Sequence, residues 1–113
     1  MAATAIVNTV LSRNTPAAYT APAALNASDG ALITAAADEK MLIILEATAA
    51  GSAVIKAGNG LQGVKDLTVT FSGAGTQCVN LESGAFVSVS GENRGKIHIT
   101  GPNTIKAACV VLP

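Results

Sequence analysis

The chain has 113 residues, half of them apolar but only 3% aromatic, and its charged residues divide into seven basic and seven acidic. That length is one domain's worth, enough to bury about two-thirds of the unfolded surface, so no second domain is expected. The charge balance argues against a nucleic-acid partner, because phosphate binding needs clustered cations and Lys40, Lys56, Lys65, Arg94, Lys96 and Lys106 are scattered.

No run reaches the roughly 20 apolar residues of a membrane span, the longest being "MLIILEATAAG". In the opening "MAATAIVNTVLSR", Arg13 follows the apolar part, the reverse of a secretory signal. The expectation is a chain without a membrane partner, made and kept in the cytoplasm until assembly or lysis. A weakly charged, neutral surface also favours association.

Residues 1–36 are expected to form an extended N-terminal arm with at most short strands, because "RNTPAAYTAPAALNASDGALITAAADE" is rich in Ala and Thr and carries Pro16 and Pro22. Ala5 to Leu11 is a candidate extra edge strand within it. Segments of this composition are ordered only where something holds them, so the arm is expected to be docked. Residues 37–113 read as a β-sandwich domain, with apolar residues at period two and Gly, Asn or Asp between the runs. Strands are expected over Met41 to Thr48, Ser52 to Ala57, Asp66 to Phe71, Thr76 to Leu81, Ala85 to Ser90, Gly95 to Thr100 and Thr104 to Leu112. The fold class is all-β: a small antiparallel sandwich or jelly-roll-like barrel. Alternation in "DLTVTF" and "KIHIT" assigns Leu67, Val69, Phe71, Ile97 and Ile99 to the core. Two strands break the alternation. "MLIILEA" is apolar on both faces, with Leu42 and Ile44 opposite Met41, Ile43 and Leu45, and "AACVVLP" is similar. Their second faces either lie beneath the arm or meet another subunit.

The motifs that suggest chemistry have plainer readings. "SVSGENRGKIHIT" reads as a hairpin that places His98, the single histidine, on its outer face without a nearby carboxylate. A serine hydrolase would need His98 as base beside Asp29, Asp38 or Asp66, and no nucleophile-elbow sequence is present. "GNGLQG" matches the dinucleotide-binding pattern, yet a strand follows it where that chemistry needs a helix. It therefore reads as a turn, with Asn59 and Gly60 at positive φ. "NAS" at Asn26 is a glycosylation pattern without a secretory context. Glu82 and Glu92 fall at turns, without aromatic residues for a sugar platform. Cys78 and Cys109 are far apart and read as two buried thiols rather than metal ligands. No cofactor is expected.

The arm "LSRNTPAAYTAPAALNASDGALITA", the apolar strand "KMLIILEAT" and the stretch "LTVTFSGAGTQCVNLESGAFVSVSGENRGKIHITG" resemble, in pattern and order, the small head-decoration (capsid cement) proteins of tailed bacteriophages. The resemblance implies a non-enzymatic virion protein on the outer surface of the expanded capsid, bridging neighbouring major capsid protein subunits. It also implies a homo-oligomer, with a trimer favoured. Candidate capsid or subunit contacts are Arg13, Asn14, Thr15, Pro16, Tyr19, Pro22, Leu42, Ile44 and Phe86. The alternative is another phage or adhesive β-module, such as a tail or fibre domain that binds a receptor or carbohydrate.

Overall fold

The computed structural model describes residues 3–36, 40–59, 65–81, 83–91 and 94–113, with only the backbone of residues 83 and 84. In chain order the strands are β1 (Thr4–Ile6), β2 (Thr9–Val10), β3 (Ala23–Ala24), β4 (Ala31–Thr34), β5 (Met41–Ala47), β6 (Gly51–Ile55), β7 (Leu67–Phe71), β8 (Gly75–Val79), β9 (Lys96–Thr100) and β10 (Ile105–Val111). One helical turn, α1 (Ser83–Phe86), separates β8 from β9. The first sheet has the order β1-β4-β9-β6-β7 and the second the order β2-β10-β5-β8, with β3 also paired to β10. Packed together, they make the expected all-β sandwich.

The core is aliphatic because the alternating positions are. Ile33, Ile55, Ile97 and Ile99 of the first sheet and Ile43, Leu45 and Ile105 of the second are fully buried, each burial contributing about 1.5–3 kcal/mol. Val69 and Phe71 are buried with them, but Leu67 is 37% exposed. The expectation of a core Leu67 fails because it opens β7, an edge strand with a neighbour on one side only.

The sheets are mixed rather than antiparallel throughout. Both parallel pairs, β1 with β4 and β2 with β10, come from the first eleven residues. The expected edge strand there is split: the chain leaves the first sheet after Ile6 and enters the second at Thr9, and Asn8 Nδ2 donates to the Thr34 carbonyl at 3.0 Å. Residues 23–34 hold two further short strands. β3 pairs with β10, and β4 lies inside the first sheet between β1 and β9. Short alanine strands carry little local signal, and their pairing is set by partners near the other end of the chain.

The expected strand over Ala85 to Ser90 is absent. The chain makes α1 instead, Phe86 and Val87 pack against the core, and the Ala85 carbonyl accepts the Gly58 amide at 2.9 Å. The anticipated hairpin survives as two backbone bonds of Ser88, whose amide donates to the Lys96 carbonyl at 3.1 Å and whose carbonyl accepts the Gly95 amide at 2.8 Å. The partners of β9 are β4 and β6.

Candidate functional site

The outer face of the second sheet is the candidate site. Along β5 the odd positions Met41, Ile43, Leu45 and Ala47 are buried, while Leu42, Ile44 and Glu46 are half-buried on the other face. Register extends that face sideways: Val110 lies opposite Leu42, Ala108 opposite Ile44 and Lys106 opposite Glu46. On the other flank Cys78 lies opposite Ile44 and Thr76 opposite Glu46. The result is an apolar strip bordered by one cross-strand acid and base. Leu42 and Ile44 thus share one face, as the two-faced pattern of "MLIILEA" anticipates.

Arg13, Asn14 and Thr15 form an exposed turn where β2 ends. It closes through Thr15 N to Ser12 O at 3.3 Å, and Thr15 Oγ1 donates to the Arg13 carbonyl. Asn14 sits at φ 56°, the left-handed region that Asn tolerates better than most residues. The chain returns through exposed Pro16 and half-buried Pro22 to β3, with Tyr19 52% exposed. The Thr20 amide donates to Oγ1 of buried Thr9 at 2.8 Å, fixing this return to β2. Phe86 does not join these residues. It is half-buried and packed against the core next to Gly58.

His98 is half-buried, and its Nε2 lies 2.7 Å from the Asp29 carbonyl oxygen. The expected partnerless histidine therefore has a partner, supplied by a loop too distant in sequence to be read locally. That loop is rigid by its own chemistry: Asn26 Oδ1 accepts the amides of Ser28 and Asp29, and Gly30 N donates to the Asn26 carbonyl at 2.7 Å. A Cβ on Gly30, at φ +74°, would collide with the Ile99 carbonyl oxygen.

Around "GNGLQG" the work is done by different groups from those expected. Asn59 is not at positive φ; its side chain clasps the loop after α1, accepting Val89 N at 2.8 Å and donating to Ser90 O at 3.0 Å. Gly58 is buried where a Cβ would overlap the Val87 carbonyl. Gly60 to Gly63, Asp38, Glu82 and Glu92 lie outside the described residues. Asp66 accepts the Ala57 amide and pairs with Lys56 at 2.9 Å, and these contacts, the amide first, hold its carboxyl below the usual range. Cys109 is buried, and desolvation pushes its thiol up to about 11. Cys78 is exposed, contrary to the expected buried pair, because it lies opposite Ile44 on the outer face of an edge strand.

Comparison with known proteins finds no matching family profile, no similar curated protein and no similar solved structure. The class defined by the fold is an all-β sandwich whose second sheet carries an apolar outer strip.

Proposed function

We propose that the chain is a virion structural protein that binds the outer surface of an expanded phage capsid and bridges neighbouring major capsid protein subunits. The observation that carries this reading is the strip across β5 and β10 formed by half-buried Leu42, Ile44 and Val110, with buried Ala108 opposite Ile44. In the isolated chain it is a second apolar face with no core of its own. A strip of this kind is what a cover would desolvate, and repetition of one modest contact over a lattice gives strong retention. The turn at Arg13 to Thr15 and the exposed Tyr19 supply a second contact. Its fixed attachment to β2 transmits load into the sandwich. The reading is non-enzymatic, and it includes a homo-oligomer, for which the resemblance to cement proteins favours three copies.

Co-sedimentation with undecorated expanded shells tests it. The parent protein should pellet with shells and Ile44→Asp should stay in the supernatant, with circular dichroism unchanged. Failure of the parent to pellet, or full binding by the variant, overturns the reading. The exposure of Tyr19 favours one alternative, an adhesive module that binds a receptor or carbohydrate. Under it, a glycan-binding screen would give a signal that Tyr19→Ala removes.

A further inference from the structure

We infer that the free edge of β8 is a self-pairing surface, through which two copies of this chain join their second sheets antiparallel about a two-fold axis. The inference stands independently of capsid binding, and it sets a two-fold pairing in place of the three-fold state that the cement-protein resemblance favours.

Which main-chain groups face out follows from the register. Thr48 N donates to Thr104 O and Leu112 N donates to Lys40 O, so the even-numbered residues of β5 turn their amides and carbonyls toward β10. The odd-numbered ones face β8, where Ile43, Leu45 and Ala47 meet Val79, Gln77 and Gly75. Thr76 and Cys78 are left with their amides and carbonyls directed away from the sheet. Among the described residues no strand lies beyond them.

The other edges are guarded. Edge strand β7 follows Lys65 and Asp66, and its Thr70 carbonyl is taken by Gln77 Nε2 at 2.8 Å. Edge strand β1 has three residues. The far edge of the second sheet is divided between β2 and β3. In contrast, β8 has no proline and no charge, and Gly75 to Cys78 are all exposed. Those are the devices by which natural edges avoid pairing.

A second copy is the occupant because the pattern complements itself. With Gln77 facing Gln77 of the other copy on the axis, Thr76 falls opposite Cys78 and Cys78 opposite Thr76. Both are then hydrogen-bonded pairs. Uncharged side chains meet without repulsion, and the outer strips of the two sheets become one continuous surface.

Sedimentation equilibrium of the parent protein should give twice the mass of the chain. Thr76→Pro removes only an outward amide, so it should keep the circular dichroism of the parent and sediment at the mass of one chain; Thr76→Lys is a second variant with the same expectation. Gln77→Cys in a Cys78→Ser background should give a disulfide-linked dimer on mild oxidation. The non-hydrogen-bonded pair brings Cα atoms to about 4.5 Å, inside disulfide range. Thr76→Cys in the same background should cross-link far less. A parent that stays at one chain mass at every concentration, a three-chain mass, or folded edge variants that remain dimeric would each overturn the inference.

Discussion

Replacing Gly30 with alanine tests how the two ends of the chain are tied together. Gly30 sits at φ +74°, and an added Cβ would overlap the Ile99 carbonyl oxygen and approach Thr100 Cα to 3.0 Å. The backbone conformation alone costs an L-residue about 1–2 kcal/mol. Relieving the overlap means moving β4 from β9 at the Ala31 and Ile99 pair, and such overpacking costs about 1–3 kcal/mol. The Gly30 carbonyl accepts the amides of Thr4 and Asn26, and weakening one of these bonds costs about 1 kcal/mol more. The stiffer unfolded chain returns about 0.4–1 kcal/mol, leaving a net loss of about 2–6 kcal/mol. At about 2.1 cal/mol/K of unfolding entropy per residue, 1 kcal/mol shifts the melting point of a chain this long by about 4 °C, so a drop of about 8–24 °C is expected. Gly95 is the control: its φ is +76°, but among the described residues no heavy atom beyond its own chain neighbours lies within 4 Å of its Cβ position. Gly95→Ala should therefore lose only about 4 °C, the part due to φ. Differential scanning fluorimetry of both variants reads the comparison. Equal shifts would show that the contact with Ile99 does not limit β4.

His98→Ala should cost about 1 kcal/mol, more than a free surface residue, because the Asp29 carbonyl loses its donor; a urea melt indistinguishable from the parent would refute that role. Native protein at pH 8 should react with one equivalent of a thiol reagent, at Cys78, while Cys109 reacts only after unfolding; Cys78→Ser should abolish the fast phase. The raised Cys109 value means its neutral form is favoured by folding, so its contribution is complete below pH 9.0 and is lost as pH rises toward about 11. Alkaline melts of Cys109→Ala should show a shallower decline over that interval. Asp66 has the opposite sign: its lowered value contributes stability above pH 3.8 that disappears on acidification, and Asp66→Asn should flatten the acid limb of a stability profile.

What was legible in the sequence is what local alternation controls. Val69, Phe71, Ile97 and Ile99 point inward as their spacing requires, and the double apolar face of β5 puts Leu42 and Ile44 on the outer side. What was not legible depends on partners far along the chain. Ala23–Ala24 has no strand signal of its own and is a strand because Lys106 and Ala107 pair with it. His98 reads as solitary until Asp29 is folded against it. Asn59 looks like a turn residue, yet its amide fits the backbone of Val89 and Ser90, a match that no spacing encodes. The apolar run of Ala85 to Val89 resembles a strand, but the local backbone bonds go to Gly58 and Lys96.

The threading of the first residues has a consequence for how the protein is made. Thr9 pairs with Val110, Ala23 with Ala107 and Ala31 with Ile99. A ribosome releasing this chain from its N-terminus therefore exposes β2, β3 and β4 long before β9 and β10 emerge. Loop closure over most of the chain must precede the contacts that reward it, which places the fold among slow, non-local topologies. During that wait the alanine-rich residues 16–31 hold few large apolar or β-branched side chains, so they offer other chains little to aggregate with. Low stickiness in the part that waits longest is a kinetic use for a composition that looks, from stability alone, too weak to be worth keeping.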